Sequence, residues 1–457
     1  MNLPSTADGA AVDAIRRAAI PLTGGPSGLD AILDEVGHAR IVMLGECTHG
    51  THEFYAERAR ITRCLVEQAG FRAVAIEGDW PDAFRVNRFL RGDPRDPSPA
   101  DALSGFRRFP AWMWRNADVV DLVGALRRLN DRRGDSSKVG FYGLDLYSLH
   151  SSMEAVIRHL DRVDPAAARE ARARYACFDR FGEDPQRYGM LAGLGAATAC
   201  EDEAIAVLLQ LRRDAAAAGR ARNNAHNRED AFDAEQNARL VHDAERYYRT
   251  LVQGDTSAWN LRDRHMADTL QSILQHIDEG LHAAGEAGPA KVVVWAHNSH
   301  VGDARATEMG EQRDEMTLGQ LARERWGASA LLVGFTTAHG HVTAARDWDA
   351  PSGHRRVLPA RTDSVESWLH RTGIPRFLLP LRHGGPHVAA LKAPRLHRAI
   401  GVVYRPDTER HSHYLHARIA DAYDALVHVD ATTAVEPLEP WAEVERIDLP
   451  ETYPTGV

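Results

Sequence analysis

Reactive side chains follow four short apolar runs of this sequence, each at the point where the run ends. The run at 292–294 leads to His297 and His300, and the run at 41–44 leads into Gly45-Glu-Cys-Thr-His-Gly50. Parallel α/β sheets build their sites at the carboxyl ends of such strands. The same pattern therefore predicts a shared site for all four runs. The remaining two are 74–76, before Glu77, and 140–144, before Asp145.

Glu46 and His49 in this block have the residue types of an acid–base pair. A carboxylate beside an imidazole fixes its tautomer and raises its basicity. The block also fits an ordinary turn with a helix cap, and the residues alone leave both interpretations open. Glu77 follows a strand directly and would be costly to bury without a partner, which Arg58 could supply.

His297 and His300 have two interpretations. The spacing HxxH brings two imidazoles together, so they could bind zinc with Glu46, Glu77 or His49 as a third ligand. The sequence has no HExxH motif, and a lone HxxH is a weak metal signal. We therefore favour acid–base roles and predict no cofactor, with a divalent metal at His297 and His300 as the alternative.

Other catalytic classes are disfavoured by missing motifs. The chain has no GxSxG elbow, no GxxxxGK[ST] loop and no dinucleotide fingerprint after a strand. Cys47 could act as a nucleophile, but its place between Glu46 and Thr48 favours a small buried packing residue.

Composition bounds the partners and the location. The chain has 457 residues, 44% of them hydrophobic, with a net charge of -9, which argues against a nucleic-acid partner. Four cysteines, none in a CxxC pair, do not make a disulfide scaffold. No leader-like start or membrane-length apolar run is present. We predict a cytoplasmic protein without a membrane partner and leave its oligomeric state open.

Strand-like and helix-like segments alternate, which predicts an α/β fold with a mostly parallel central sheet flanked by helices. The strand signals stop after about residue 150, and a helix-rich stretch with a polar break at 223–228 follows. We therefore predict a core in two parts, 1–150 and 291–457, and a helical insertion at 151–290 that forms a cap. Later strands are expected at 330–336, 376–381, 399–404 and 425–430, with a hairpin turn at Gly340-His341.

Several motifs taken together resemble the erythromycin esterase family, and the resemblance covers nearly the whole chain in order. The motifs are Gly45-Glu-Cys-Thr-His-Gly50, Glu77-Gly-Asp-Trp80, Trp112-Met-Trp-Arg-Asn116, Gly143-Leu-Asp145, Asn260-Leu-Arg-Asp263 with Met266, Trp295-Ala-His-Asn-Ser-His300, His413-Tyr414 and Tyr423-Asp-Ala-Leu426.

This resemblance implies a hydrolase that opens an ester or lactone by activated water, without a covalent intermediate. It implies that His49 is the general base and that five further residues complete the catalytic site: Glu46, Arg58, Glu77, His297 and His300. We expect substrate contacts from Trp80, Trp112, Trp114 and Asp145, and a small-molecule ester or lactone as substrate. A macrolide lactone, and with it antibiotic resistance, is one candidate. The alternatives are a metal-dependent hydrolase and a non-catalytic protein that binds a metal or cofactor.

Overall fold

A nine-stranded sheet forms the centre of the protein, with a separate two-stranded sheet beside it. The computed structural model describes residues 6–22, 26–182, 184–218, 225–251 and 255–439. The strands in these residues are β1 (Ile20–Pro21), β2 (Ile41–Leu44), β3 (Ala73–Asp79), β4 (Gly140–Asp145), β5 (Val292–Trp295), β6 (Ala330–Ala344), β7 (Gly353–Val357), β8 (Arg376–Pro380), β9 (Arg395–Arg398), β10 (Tyr414–Ala417) and β11 (Ala425–Thr432).

Helices precede, connect and follow these strands. They are α1 (Thr6–Ala18), α2 (Pro26–Val36), α3 (His52–Gln68), α4 (Trp80–Leu90), α5 (Pro99–Ala102), α6 (Ala117–Asn130), α7 (Leu149–Val163), α8 (Pro165–Tyr175), α9 (Pro185–Gly193), α10 (Glu201–Ala218), α11 (Ala225–Thr250), α12 (Asp255–Ala283), α13 (Asn298–Val301), α14 (Glu308–Arg313), α15 (Leu318–Trp326), α16 (Val365–His370), α17 (Pro386–Ala390), α18 (Glu409–Ser412) and α19 (Ile419–Ala422). None of these described helices combines the length and apolar character that crossing a bilayer requires.

The large sheet is mostly parallel, which confirms the predicted fold class. Its order is β1-β8-β11-β6-β2-β5-β3-β4, and β7 pairs with β6. Strands β2, β3, β4, β5, β6 and β11 are joined by parallel pairings, whereas β8, β1 and β7 add antiparallel edges. The carboxyl ends of β2, β3, β4 and β5 therefore meet along one edge, where the reactive residues follow them.

Both faces of the sheet are buried, as the β-branched and apolar runs predict. Ile41 and Met43 of β2 belong to one apolar cluster, and Val42 and Leu44 belong to a second cluster on the opposite face. This division follows from the two-residue period of a strand. Buried side chains of α7, α8, α9, α10, α11 and α12 join the first cluster. The helical insertion thus packs on one face of the sheet.

The insertion reaches the strand ends through α12. Trp259 and Arg262 of α12 line the cavity described below, whereas its apolar side chains pack against the sheet face. The division into domains and the closing movement of a cap stay predictions. Of the predicted polar break at 223–228, residues 223 and 224 lie outside the described residues, and α11 begins at Ala225.

The predicted hairpin turn at Gly340-His341 is wrong. Strand β6 continues through both residues to Ala344, and its antiparallel pairing with β7 begins at Gly340. Gly340 has φ +139°, and a Cβ there would lie 2.1 Å from the carbonyl oxygen of Thr432. The glycine therefore allows close packing against β11 rather than a chain reversal.

Two further differences concern the predicted strand at 399–404 and the cysteines. The strand in this part of the chain is β9, which ends at Arg398, and residues 400 and 403 form isolated bridges. These residues bridge to loops, so no continuous ladder forms.

Cys177 and Cys200 form a disulfide within the insertion, whereas Cys47 and Cys64 are free and buried. The small number of cysteines predicted that the fold does not depend on a disulfide scaffold. The spacing of the cysteines in the sequence did not predict this single disulfide.

Candidate active site

A cavity of about 730 Å³ lies at the carboxyl ends of β2, β3, β4 and β5. Its size is in the range of small-molecule sites in proteins. Six of the ten predicted site residues line it. Five of them lie at or just after the four strand ends, and the sixth lies between α5 and α6: His49, Glu77, Asp145, His297 and His300, with Trp114. Sequence-distant segments therefore meet at one site, as the strand-end pattern predicted.

His49 lies at the cavity with its ring held from one side. Its Nδ1 lies 3.0 Å from Oε1 of Glu46, and Nη2 of Arg58 donates to Oε2 of the same carboxylate at 2.6 Å. A carboxylate oxygen can only accept a hydrogen bond, so the hydrogen of this contact is on Nδ1 of His49. The Nε2 atom of the same ring therefore keeps its lone pair. Among the described residues, Nε2 of His49 has no hydrogen-bond partner. His49 can therefore accept a proton from a molecule in the cavity.

The turn that carries His49 depends on close packing at Gly50. A Cβ at this position would lie 1.9 Å from the carbonyl oxygen of Thr343, so any side chain would push the turn away from β6. The backbone of Gly50 does not have a positive φ. The position therefore requires glycine for space rather than for its backbone conformation.

Arg58 is a positioning residue for Glu46. Its side chain is fully buried, and its guanidinium lies 4.6 Å from the ring centroids of both Tyr55 and Trp295. Neither Arg58 nor Glu46 lines the cavity. The predicted pairing of Arg58 with Glu77 is wrong: the partner of Arg58 is Glu46, because α3 places the guanidinium beneath the His49 turn.

Glu77 is at the centre of a second buried charge cluster. Its Oε2 accepts from the backbone N–H of His297 at 2.7 Å, and its Oε1 accepts from Nη2 of Arg262 at 2.8 Å. Nε2 of His300 lies 3.3 Å from the same Oε1. Burial opposes ionisation, but the charges of His300 and Arg262 outweigh it and hold the pKa of Glu77 well below its usual range. Glu77 is therefore a carboxylate that fixes the position of His297.

His300 is fixed by a carboxylate and an indole. Its Nδ1 lies 2.9 Å from both carboxylate oxygens of Asp263, and its ring stacks on Trp259 with centroids 4.6 Å apart. Burial lowers the pKa of His300, but the negative charges of Asp263 and Glu77 outweigh it and raise the pKa to about 9. This pKa favours a protonated ring at neutral pH, with Nη1 of Arg262, 3.0 Å from Nε2 of His300, as the opposing positive charge.

The raised pKa of His300 makes stability depend on pH. The folded protein keeps this proton up to about pH 9, whereas the unfolded chain loses it near pH 6.5. The stabilisation is fully present below about pH 6.5 and is lost as pH rises through about 9. We expect the free energy of unfolding, measured with urea between about pH 6 and pH 10, to fall over this window. His300→Gln should flatten the fall, whereas His383→Gln at an exposed site should keep the wild-type slope.

His297 is a neutral imidazole with a defined tautomer. Its Nε2 donates to the carbonyl oxygen of Ile400 at 3.2 Å, because a carbonyl only accepts, and its Nδ1 accepts from the Ser299 hydroxyl at 2.8 Å. Burial and the neighbouring His49 hold the pKa of His297 well below its usual range. The ring centroids of His49 and His297 are 4.7 Å apart. His297 thus presents a donor beside the predicted base.

The four predicted substrate contacts divide into two pairs. Trp114 and Asp145 line the cavity, and Asp145 accepts two hydrogen bonds from Arg262 at 2.7 and 3.0 Å. Trp80 lies in the core instead, where its Nε1 donates to Asp233 at 3.0 Å. Trp112 belongs to the apolar cluster on the other sheet face. Neither Trp80 nor Trp112 lines the cavity, so their prediction as substrate contacts does not fit the structure.

Sequence reasoning did not assign three residues of this site. Arg262 bridges Glu77 and Asp145, Asp263 holds His300, and Trp259 stacks on it. Arg262 and Asp263 belong to the motif Asn260-Leu-Arg-Asp263, and Trp259 directly precedes it. This motif was therefore the signal that could have identified them.

The geometry does not favour a metal at His297 and His300. Both ring nitrogens of His297 are engaged by Ile400 and Ser299, and Nδ1 of His300 is held by Asp263. In the described part of the chain, the group of three side chains with metal-ligand spacing lies elsewhere, at His339, His370 and Asp430. The predicted lack of a cofactor stays a prediction.

Sequence comparison connects this chain to known proteins. A family model described as "Erythromycin esterase" matches residues 66–432, and the match begins after Glu46, His49 and Arg58. The protein "Putative hydrolase YbfO" of Bacillus subtilis (strain 168) is 29% identical over 130 residues, which are 28% of this chain and 27% of that protein. The alignment thus spans about a quarter of this curated relative.

Solved structures share the fold. A succinoglycan biosynthesis protein has a TM-score of 0.76 at 21% identity and covers 95% of this chain and 100% of its own. A Bacillus cereus protein has a TM-score of 0.75 at 20% identity with the same coverage. A mutant of the erythromycin esterase EreC in its open conformation has a TM-score of 0.59 at 18% identity and covers 88% of this chain and 93% of its own. These likenesses show a common architecture.

Proposed function

Since the chain belongs to the erythromycin esterase family, we propose that it is a hydrolase that opens an ester or lactone with water and without a covalent intermediate. The observation that carries this proposal is the Glu46–His49 pair, which leaves Nε2 of His49 as a proton acceptor at the cavity. The similarity to a protein named as a hydrolase supports the same reaction class.

In the proposed reaction, Nε2 of His49 takes a proton from a water molecule while the water oxygen attacks the carbonyl carbon. Glu46 stabilises the imidazolium that forms, and the hydrogen bond from Arg58 holds Glu46 in place. The tetrahedral intermediate then loses its alkoxide, which takes the proton back from His49. The products are a carboxylic acid and an alcohol, which stay joined if the substrate is a lactone.

His297 is the residue best placed to stabilise the oxyanion of the intermediate with a hydrogen bond. Its neutral ring carries a hydrogen on Nε2 and lies beside His49, whereas Arg58 is buried away from the cavity. In this proposal, Nε2 of His297 turns from the carbonyl of Ile400 to the oxyanion. His300 and Arg262 hold Glu77, which in turn holds the backbone of His297.

The cavity favours an organic substrate larger than a simple acyl ester. Its walls carry aromatic rings from Phe106, Phe109, Trp114, Tyr147, Trp259, Trp348, Tyr414 and Tyr423. A volume of about 730 Å³ accommodates a multi-ring or macrocyclic molecule. A macrolide lactone, with a role in antibiotic resistance, is therefore one candidate that we propose. The cytoplasmic location and the lack of a nucleic-acid partner stay predictions.

An activity screen tests the proposal against its two alternatives. Purified protein is incubated with a panel of lactones and esters, with and without EDTA, and release of the carboxylic acid is measured. We expect hydrolysis that EDTA leaves unchanged. Loss of activity on chelation, restored by added metal and not accompanied by a fall in the thermal midpoint, would support a metal-dependent hydrolase at His297 and His300. Binding of panel compounds without turnover would support a non-catalytic binding protein.

Cys47→Ala distinguishes water from a thiol nucleophile. Cys47 is fully buried and lies outside the cavity lining, and burial raises the pKa of its thiol far above neutral pH. We therefore expect the variant to keep most of the wild-type kcat/KM, and mass spectrometry during turnover to show no acylated protein. An adduct on Cys47 would contradict the water mechanism.

A further inference from the structure

Three side chains of types that bind metals meet away from the cavity, on three different elements. His339 lies on β6, Asp430 lies on β11 and His370 is the last residue of α16. One ligand atom from each lies within 4.8 Å of the others, and none of the three lines the cavity. The proposed hydrolytic reaction does not require these three residues.

Asp430 is the centre of this group. Its Oδ1 lies 2.7 Å from Nδ1 of His370, and its Oδ2 lies 3.9 Å from Nε2 of His339. The buried ring of His428 lies beneath, with Nε2 3.4 Å from Oδ1 and Nδ1 2.9 Å from the hydroxyl of Thr336. The carboxylate is therefore oriented from the protein side, and its two neighbours on the solvent side are imidazoles.

The charges in this group favour a cation. The carboxylate of Asp430 has an imidazole beside each of its oxygens on the solvent side and the ring of His428 on its protein side. His339 and His370 have side chains that are 41% and 51% exposed, so both rings can rotate. Two imidazole nitrogens and one carboxylate oxygen are a common ligand set for zinc, which leaves a fourth tetrahedral position for water.

We propose that His339, His370 and Asp430 form a binding site for a divalent first-row transition metal such as Zn²⁺. Metal–ligand distances of about 2.0–2.2 Å place the ligand atoms of one tetrahedron roughly 3.3 Å apart. The ring of His339 must therefore move closer to the carboxylate, and Nδ1 of His370 must exchange its 2.7 Å hydrogen bond with Asp430 for the metal, which rotation of the two exposed rings provides. His428 is the outer partner that keeps the carboxylate oriented, as ligating carboxylates generally require.

The bound metal joins α16 to the sheet. The same short helix carries Glu366, whose Oε1 accepts from Nδ1 of His397 at 2.8 Å, and His397 lines the cavity. The metal therefore stabilises the folded protein by linking the end of α16 to β6 and β11, because it binds the folded state and not the unfolded one.

Titration of the untagged full-length protein with ZnCl₂ by isothermal calorimetry tests the site. We expect one saturable site in the wild type. His339→Ala, His370→Ala and Asp430→Asn should each weaken it by about tenfold or more, as should His428→Asn. The thermal midpoint of the wild type should rise with ZnCl₂ concentration, and Asp430→Asn should lose this rise.

A matched control is the double variant His341→Ala/His354→Ala. These two histidines stack with ring centroids 6.0 Å apart on β6 and β7, and neither belongs to the proposed group of three ligands. The control should bind Zn²⁺ as the wild type does. No saturable binding in the wild type overturns the proposal. It is likewise overturned if Asp430→Asn leaves the affinity unchanged, or if the control loses binding to the same extent.

Discussion

His49→Asn is expected to lower kcat/KM by about two to four orders of magnitude and to leave the fold intact. Water is a weak nucleophile at neutral pH, and asparagine cannot accept its proton. The substitution keeps a polar side chain of similar size beside Glu46, so the turn after β2 should survive. The measurement is kcat/KM on the best substrate of the activity screen, together with the thermal midpoint of each protein.

The matched control for this prediction is His52→Asn. His52 lies three residues further on, at the start of α3, where its half-exposed ring contacts Asp118 at 2.8 Å and does not line the cavity. This variant should keep the wild-type kcat/KM. Turnover by His49→Asn within a factor of about ten of the wild type would exclude His49 as the general base.

Arg262→Met is expected to lower the free energy of unfolding by about 3–5 kcal/mol and to abolish most activity. Methionine fills a similar space but removes the cation that Glu77 and Asp145 share, so two buried carboxylates lose a partner. Repulsion between them should then displace the backbone of His297, which Glu77 holds. Urea unfolding measures the first effect, and kcat/KM measures the second.

Two variants control this experiment. Arg262→Lys keeps the positive charge, but an ammonium group cannot bridge both carboxylates as a planar guanidinium does. We therefore expect losses of stability and of kcat/KM that lie between those of the wild type and those of Arg262→Met. Arg174→Met breaks the exposed pair with Glu170 elsewhere in the insertion and should change stability by less than about 0.5 kcal/mol. A loss for Arg262→Met no larger than that for Arg174→Met would show that Arg262 does not hold this cluster.

The strand-end residues of the site could be predicted because the signal is local. A short β-branched run such as 292–294 forms a buried parallel strand, and whatever follows it emerges at the sheet edge. His49, Glu77 and His297 could each be assigned from a window of about ten residues. The prediction that these three residues meet in one cavity needed only the parallel fold class, because parallel strands end at the same edge of the sheet.

Other parts of the site depend on contacts that no local window contains. Arg262 lies in the middle of α12, and only the docking of that long helix brings it to Glu77 and Asp145. Trp80 is the first residue of α4 and directly follows β3, which ends at the site. It lies on the face of α4 that packs into the apolar core, so it does not reach the cavity. Residue type and spacing cannot decide either orientation, because both are set by tertiary packing.

The position of β2 has a consequence for how the chain reaches its native state. This strand leads to the proposed base, yet both of its neighbours come from the second half of the chain, as the pairs Ile41 with Val292 and Ile41 with Ala330 show. During synthesis, β2 must stay unpaired until β5 and β6 have left the ribosome. Such high contact order slows folding and exposes an apolar strand edge meanwhile. We therefore expect chains that end before β5 to aggregate rather than to form a partial site.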